Sequence, residues 1–310
     1  MRILRGAPSV WHAGEALALA VGVFDGVHVG HHHVLQLLLE AAEIRGLKPA
    51  VLTFDPHPLS LIAPHLAPRM LTTIDQRIEQ FAALGVELTA VLAFDASVRG
   101  MSAEAFIEDI LVGRLRAEFV VAGQDFRFGA DRSGGLDLLA EMGSGLGFET
   151  VSSPLIGGEE PVSSTRIREA LDAGDIPAAS VLLGRNYQLV GAVVPGVGRG
   201  SGFGVATANV DVDATLSIPG RGVYAVRAGV GELVPAVANI GVRPTFGVGV
   251  ETVEVHLIDR YVEIIGDAIR IEFVARLRDE QTFAGISELV DQIGRDIEAA
   301  RAILAKEPDG

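Results

Sequence analysis

The sequence predicts two domains of different class: an α/β domain with a doubly wound parallel sheet, then a small antiparallel β-barrel with a terminal helix. The first observation is length, since 310 residues exceed one ordinary core at about 150 residues per domain. The second is that residues 1–183 alternate short apolar runs with helix-like segments, which is typical of parallel βαβ units. The third is that residues 184–310 carry Val- and Gly-rich runs separated by turns, which indicates antiparallel strands.

Short apolar runs predict the strands of the first domain: residues 18–24, 50–54, 89–94, 119–123 and 148–152. Apolar residues at helical spacing predict the helices between them: residues 34–44, 74–84 and 103–111. Thr73 and Ser102 stand where the second and third of these helices would have their N-caps. Ligands of such a sheet bind at the carboxyl ends of its strands, so the loops after Phe24, Phe54 and Gly123 are the predicted site.

Further apolar runs predict the strands of the second domain: residues 187–194, 222–228, 236–240, 253–258 and 268–273. Strands that close on themselves leave no exposed edge, so a small barrel is the predicted form. Residues 286–304 carry an apolar stripe at helical spacing, with Ser287 near the start. We expect this last helix to pack on the barrel.

Composition excludes several classes of function. A formal net charge of −15 disfavours a non-specific nucleic-acid binder and a protein of anionic membranes, because both need a basic surface. A hydrophobic fraction of 49% excludes a disordered chain, and no apolar run approaches the roughly 18 to 20 residues that span a bilayer. We therefore expect small-molecule partners, while composition leaves the oligomeric state open.

Cysteine is absent and lysine is scarce, and both facts limit the types of reaction that the chain could catalyse. Cysteine is absent, which removes disulfides, thiolate metal ligands and cysteine nucleophiles, and which is compatible with the cytoplasmic location that we expect. The only lysines are Lys48 and Lys306, and no GxxxxGK[ST] string occurs. A Walker-type phosphate loop and a lysine Schiff base are therefore disfavoured.

The most informative motif is GVFDGVHVGH at residues 22–31, which follows the first predicted strand and opens the first predicted helix. Two imidazoles, His28 and His31, flank Gly30 at a helix N-terminus. There the glycines let a triphosphate approach the backbone, the helix dipole favours negative charge, and the histidines can donate to phosphate oxygens. A zinc site is the competing hypothesis, but the pattern offers no third ligand.

The motif resembles the HxGH nucleotidylyltransferases. Three further strings, TFDPHP at residues 53–58, GQDFRFG at 123–129 and VSSTRIR at 162–168, make the chain similar to the prokaryotic bifunctional riboflavin kinase/FMN adenylyltransferases, also called FAD synthetases. The resemblance covers nearly the whole chain. It implies a Rossmann-like nucleotidylyltransferase domain at residues 1–183 and a riboflavin kinase-like barrel at 184–310.

The resemblance also implies roles for residues of the first domain. In the VSSTRIR string, hydroxyls that cap a helix and arginines in its first turn would make an anion site, although Arg166 is interpreted as solvated. The two phenylalanines of the GQDFRFG string have two alternative interpretations, contact with the flavin ring or packing in the core. The implied ATP and phosphate contacts are Gly22, Phe24, Asp25, Gly30, Ser164, Thr165 and Arg168, and the implied flavin contacts are His57, Asp125, Phe126 and Phe128.

Residues 198–209, GRGSGFGVATAN, look like the riboflavin kinase signature, which usually ends in GFPTAN. The sequence departs from it at Val205 and Ala206, and the loss of the proline should make the loop less rigid. A hydroxyl and an amide carbonyl are hard oxygen donors that suit Mg²⁺. The resemblance implies that Thr207 and Asn209 hold the metal with ATP and that Gly198, Arg199 and Gly204 contact the nucleotide.

Glu254 corresponds to the family's general base, which would take the proton from the ribityl 5′-hydroxyl of riboflavin. Pattern alone also allows an outward-facing strand carboxylate, because Glu254 and His256 alternate with apolar residues. Arg278 fits a late arginine near the flavin. Ile265 stands where the family usually has a tyrosine.

The implied activity is phosphorylation of riboflavin to FMN and then adenylylation of FMN to FAD, with ATP and Mg²⁺ in use. One alternative is a protein that adenylylates FMN while its altered kinase loop is inactive. Another is a flavin- or nucleotide-binding regulator without catalysis. A different HxGH adenylyltransferase is disfavoured by the whole second half of the chain.

Overall fold

A computed structural model describes residues 1–195, 207–245, 248–260 and 264–306. The chain divides into two compact units, Met1–Ser163 and Ser164–Gly310. This division assigns residues 164–183 to the second unit by their packing. The functional boundary at residues 183/184 stays a prediction.

The first unit contains a six-stranded parallel sheet in the order β1-β4-β3-β2-β5-β6. Its strands are β1 (Arg2–Gly6), β2 (Leu17–Val21), β3 (Lys48–Asp55), β4 (Leu88–Ala93), β5 (Ala117–Gly123) and β6 (Glu149–Ser153). From β2 the chain runs outward through β3 on one side and returns through β5 on the other. The strand order therefore reverses between β2 and β5, and in an open parallel sheet this is where ligands bind.

The central strand is apolar on both faces because helices cover both. Leu17 and Leu19 of β2 belong to one core cluster, and Ala18 and Ala20 pack against helix α1 (Val29–Arg45) in the other. The remaining helices of the unit are α2 (Pro58–Ile62), α3 (Ile74–Ala83), α4 (Ala96–Arg99), α5 (Ala103–Ala105) and α6 (Leu136–Leu146). Short 3₁₀ turns cover Pro8–Val10, Pro64–Leu66 and Ala130–Arg132.

Both predicted N-caps of this unit are confirmed, and one helix differs from expectation. The Thr73 hydroxyl accepts a hydrogen bond from the Gln76 N–H at 3.1 Å, and the Ser102 hydroxyl accepts one from the Ala105 N–H at 3.1 Å. After α5 the chain continues as a π-helix over Phe106–Arg114 instead of an α-helix. Four apolar side chains of this helix are buried in the core of the unit: Phe106, Ile107, Ile110 and Leu111.

The second unit opens with helices α7 (Ser164–Asp172) and α8 (Ile176–Leu183) and then forms a closed antiparallel barrel, which confirms the predicted architecture. The barrel order is β10-β11-β8-β7-β12-β9. Its strands are β7 (Tyr187–Val194), β8 (Ala208–Asp211), β9 (Gly222–Gly229), β10 (Val234–Thr245), β11 (Val248–Leu257) and β12 (Ala268–Arg278). Among the strands of the described residues, β1 and β8 are the two that the sequence analysis did not predict.

Helix α9 (Ile286–Leu304) packs on the outside of the barrel, as predicted. Ala300 and Leu304 of this helix form a cluster with Ala225 and Val274, and Val237 of β10 packs against it. Because α9 lies outside the barrel, the face of β10 that carries Val237 is the outer face. Side chains alternate along a strand, so Asn239 lies on that outer face as well.

Candidate active sites

The loop after β2 makes a tight turn into helix α1 with unusual backbone angles. Phe24 has φ 53°, Gly26 has φ 81° and Val27 has φ 41°, all in the left-handed region. A β-branched residue such as Val27 adopts this region only under strain. Strain of this kind persists where the surrounding structure holds it, and it is concentrated at functional sites.

Contacts from residues 71 and 72 hold this loop. One carboxylate oxygen of the buried Asp25 accepts hydrogen bonds from the N–H groups of Leu71 at 2.8 Å and Thr72 at 3.3 Å. The Thr72 hydroxyl accepts one from the Gly26 N–H at 3.1 Å. Asp25 therefore supports the loop, and its predicted contact with ATP stays a prediction.

His28 and His31 cap helix α1 reciprocally. The Nδ1 of His28 accepts from the His31 N–H, and the Nδ1 of His31 accepts from the His28 N–H, both at 3.3 Å. The two rings stack with centroids 3.6 Å apart and planes 15° apart. Since both Nδ1 atoms accept, the proton of each neutral ring is on Nε2, which leaves Nε2–H as the donor of each imidazole.

Two glycines of the loop lie close to these rings and leave little room for a side chain. A Cβ on Gly30 would lie 3.2 Å from two atoms of the His28 imidazole. A Cβ on Gly22 would lie 3.1 Å from the ring of Phe24, which itself meets His31 edge-on at 5.2 Å. The predicted residues Gly22, Phe24, His28, Gly30 and His31 are thus brought together at the switch point between β2 and β5.

Arg77 is a buried residue that the sequence analysis missed. The residue is only 2% exposed. Its Nη1 donates to the carbonyl of Val23 at 2.7 Å and to the hydroxyl of Thr53 at 3.2 Å. Burial lowers the pKa of the guanidinium, and the charges of Asp25 and Asp55 partly offset that effect. The signal in the sequence is its position four residues before Phe81 on the buried face of α3.

The predicted flavin contacts have different environments. His57 caps α2, with its Nδ1 accepting from the Leu59 N–H at 3.1 Å. Asp125 is exposed, and the half-buried ring of Phe126 stacks on Phe128 with centroids 5.4 Å apart. Phe128 is 6% exposed and also packs on Phe106, at 5.3 Å. Its burial is consistent with core packing, and flavin contacts by all four residues stay predictions.

The predicted phosphate-binding residues of the VSSTRIR string begin helix α7, in the second compact unit. Ile167 and Leu171 of this helix are buried, whereas Ser164 and Arg168 are half-buried and Thr165 is exposed. The helix start is therefore confirmed, and the phosphate contacts stay predictions.

In the barrel, the strand register brings polar residues together around Glu254 of β11. Glu254 lies directly opposite Asn209 of β8 on one side and opposite Asn239 of β10 on the other. Residues directly opposite each other in an antiparallel pair share a face, so these three lie together on the outer face of the barrel. Val253 and Val255 fill the interior. Asn239 is a candidate that the sequence analysis did not name.

Of the other residues predicted to bind ATP or the metal in the kinase site, one is described by the structure and the rest are not. Thr207 is exposed just before β8 begins, two residues from Asn209. Gly198, Arg199 and Gly204 lie outside the described residues, as do the departures at Val205 and Ala206.

Arg278, the predicted flavin contact of the kinase, forms an ion pair with Asp296 of α9. Its Nε and Nη2 donate to the two carboxylate oxygens at 3.0 Å and 2.7 Å, and both side chains are largely buried. Gln292 donates to the same carboxylate at 2.8 Å. This geometry favours a role in attaching α9 to the barrel, and a flavin contact stays a prediction.

Two features are absent from the part of the chain that the structure describes. No helix there is long and apolar enough to cross a membrane. No three His, Cys, Asp or Glu side chains there cluster in a way that could hold a metal ion.

Comparison with known proteins covers both units. The family model of FAD synthetase matches residues 12–166, and that of riboflavin kinase matches residues 183–304. The bifunctional riboflavin kinase/FMN adenylyltransferase of Escherichia coli (strain K12) is 39% identical over 305 residues, which is 97% of each chain. The protein of the same name from Bacillus subtilis (strain 168) is 38% identical over 287 residues, covering 91% of this chain and 90% of that one.

A solved structure described as a macrolide-efflux protein from Streptococcus pneumoniae is also similar. It superposes with a TM-score of 0.86 at 27% identity, and the match covers 97% of this chain and 99% of that one. Its fold is therefore shared along nearly the whole chain. With both family models matched and relatives of this identity over nearly its full length, the chain belongs to the family of bifunctional riboflavin kinase/FMN adenylyltransferases.

Proposed function

We propose that the chain phosphorylates riboflavin to FMN in its barrel and then adenylylates FMN to FAD in its first unit, with ATP as co-substrate of both reactions. The observation that carries this proposal is the presence of two separate sites in a chain of this family. One is the stacked His28–His31 pair at the switch point of a parallel sheet, and the other is Glu254 opposite Asn209. Each suits the chemistry of one step.

In the adenylylation, an oxygen of the FMN phosphate attacks the α-phosphorus of ATP, and the bond to the bridging oxygen of pyrophosphate breaks. Negative charge develops on the phosphoryl oxygens and on the leaving group. The Nε2–H groups of His28 and His31 donate to these oxygens, because their Nδ1 atoms are held by the backbone. The N-terminus of α1 adds the favourable end of its dipole.

Other residues of this step are assigned from the family motifs. Gly22 and Gly30 allow ATP to approach the backbone, and Ser164, Thr165 and Arg168 bind the departing pyrophosphate. The ring of Phe24 meets the His31 ring edge-on and so helps to fix the orientation of that imidazole. His57, Asp125, Phe126 and Phe128 are the proposed contacts of the flavin.

In the kinase reaction, Glu254 accepts the proton of the ribityl 5′-hydroxyl as that oxygen attacks the γ-phosphorus of ATP and ADP leaves. The neighbouring Asn209 supports this assignment, since its register places an amide directly opposite the carboxylate. An amide carbonyl and the hydroxyl of Thr207 form a donor set that fits Mg²⁺, and these two residues would hold it. When bound, the metal neutralises charge on the phosphates of ATP.

The experiment is a product assay. Purified protein is incubated with riboflavin and MgATP, and the flavins are separated by chromatography. We expect FMN and then FAD to accumulate, and the absence of both products contradicts the proposal. FAD from supplied FMN without any FMN from riboflavin would mean that only the adenylylation is active, and tight flavin binding without turnover would indicate a regulator.

The proposed partners are thus small molecules: riboflavin, FMN and ATP. We also propose a cytoplasmic location, because both reactions consume ATP. The acidic chain meets these anionic substrates through local features, namely a helix N-terminus, two imidazoles and Mg²⁺, and needs no basic surface.

A further inference from the structure

Arg77 contacts the start of the loop after β2 and the end of β3. Its Nη1 donates to the carbonyl of Val23, where the loop after β2 begins, and approaches the carbonyl of Phe54 at 3.5 Å, near the end of β3. The Thr53 hydroxyl donates to the same Val23 carbonyl at 2.9 Å. Two donors therefore converge on one carbonyl at the start of the loop that carries His28.

The position of Arg77 is unfavourable in three respects. The guanidinium is buried, which costs the charged group its hydration. Its Nε has no hydrogen-bond partner among the residues that the structure describes. It also lies in the first turn of α3, where the helix dipole opposes a positive charge. An apolar side chain could fill this space without these costs. The contacts that Arg77 makes therefore indicate a role in the candidate site that contains His28 and His31.

We propose that Arg77 is a positioning residue for FMN adenylylation, acting through the carbonyl of Val23 to hold the loop that carries His28 and His31. This inference rests on the proposed function. The helix that carries Arg77 is fixed by the capping box of Thr73 and Gln76. The adjoining Thr72 already binds the loop at Gly26. Arg77 adds the contact at the start of the loop.

The loop needs this support because of its backbone. Phe24 and Val27 both have positive φ, and a strained turn relaxes when its outer contacts are removed. A relaxed turn would shift the helix N-terminus and the two imidazoles relative to ATP. A displacement of about 1 Å at a reacting centre can cost about 100-fold in rate, while substrate binding changes less.

The test replaces Arg77 in the full-length protein. Arg77→Met keeps the apolar stem and removes the charge and the donors, and Val23 keeps the hydrogen bond from Thr53. We expect the kcat of FAD formation from FMN to fall by about 10- to 100-fold, with the KM for ATP changed by less than about threefold. Arg77→Lys restores a charge and a donor, so we expect it to recover part of the lost kcat.

Two controls separate positioning from loss of structure. FMN formation from riboflavin, measured in the same preparations, reports the other unit and is expected to stay at the wild-type rate. Ile78→Ala removes buried packing from the same helix, one residue further on, without touching the loop's carbonyl groups. Below its melting temperature this variant is expected to keep the wild-type kcat of FAD formation.

Three results would overturn the inference: a wild-type kcat in Arg77→Met, an equal loss of kcat in Ile78→Ala, or a raised KM with kcat unchanged. If Arg77→Met does not fold, Arg77→Lys decides, because its shorter side chain should still lower kcat and an unchanged kcat contradicts the proposal. A wild-type protein that forms no FAD from FMN contradicts the proposed function instead, so the two failures are distinguishable.

Discussion

At the residue scale, the two nitrogens of His28 have different tasks. Its Nδ1 caps helix α1 by accepting from the His31 N–H, and its Nε2 carries the proton that the proposed chemistry uses. An imidazole is unusual as an N-cap, a position where Ser, Thr, Asp and Asn are preferred. Capping alone therefore does not explain a histidine at this position, whereas the donor role of Nε2 does. The two roles can be separated by substitution.

His28→Ala removes both the cap and the donor, whereas His28→Asn restores a capping oxygen without an Nε2–H. We expect the alanine variant to lose about 1 kcal/mol of stability and the asparagine variant to regain most of it. Both should lose about 100- to 1000-fold in the kcat of FAD formation. The fluorescence of Trp11, the single tryptophan, reports unfolding of the first unit because the ring is buried in its core. Recovery of the rate in His28→Asn would contradict the role of Nε2.

Glu254→Gln tests the general base of the barrel. The amide keeps the size of the side chain and cannot take a proton, so FMN formation should fall by about 100- to 10,000-fold. FAD formation from supplied FMN should be unchanged. Glu251→Gln makes the same chemical change on an exposed carboxylate of the same strand and should leave both rates as in the wild type. A wild-type rate of FMN formation in Glu254→Gln would exclude this base.

Much of the candidate site could be predicted from local strings, and the rest depends on contacts between distant parts of the chain. The HxGH motif places its histidines and glycines within ten residues, so their proximity follows from the sequence. Arg77 meets Val23 across 54 positions, and Thr72 meets Gly26 across 46. Nothing local marks such pairs. The burial of Phe128 similarly depends on Phe106, which a π-helix presents.

At the element scale, the strands that the sequence analysis missed lie at a sheet edge or are very short. β1, RILRG, has three exposed and two half-buried residues at a sheet edge, and β8, ANVD, has only four residues. Strands such as β2, in contrast, are buried on both faces and form unbroken apolar runs. Helices α3 and α9 matched their predicted bounds closely because caps or a regular apolar stripe mark them.

Helix α6 contains two glycines for which the structure predicts opposite effects of the same substitution. Gly145 is exposed with open space around it, so Gly145→Ala should stabilise the first unit by about 0.5 to 1 kcal/mol. At Gly143 a Cβ would lie 2.6 Å from the Phe148 carbonyl oxygen, so Gly143→Ala should destabilise it by about 1 to 3 kcal/mol. Urea unfolding followed by Trp11 fluorescence measures both. Shifts of the same sign would contradict the packing described.

At the scale of the whole molecule, most of the groups proposed for each chemical step lie in one compact unit, and the exceptions are the phosphate contacts predicted on α7. The histidine pair lies in the first unit, and Glu254 with Asn209 lies in the second. The two steps should therefore be separable, with FMN as the shared intermediate.

Complementation tests this separation. Glu254→Gln and His28→Asn proteins are each incubated alone with riboflavin and MgATP, and then mixed. Alone, the first should make almost no FMN and the second should stop at FMN. Mixed, they should form FAD, because FMN made by the second is adenylylated by the first. A mixture that stops at FMN, although Glu254→Gln accepts supplied FMN, would show that FMN does not exchange between molecules.

The position of β1 at the edge of the sheet has a consequence for synthesis. Arg2 of β1 pairs with Leu88 of β4, so the strand leaves the ribosome 86 residues before its neighbour. At typical translation rates this delay is roughly 4 to 17 seconds. During that time an unpaired strand could recruit another chain, and the charges of Arg2 and Arg5 oppose this. The charged residues that made β1 hard to recognise as a strand thus protect the nascent chain while it waits for β4.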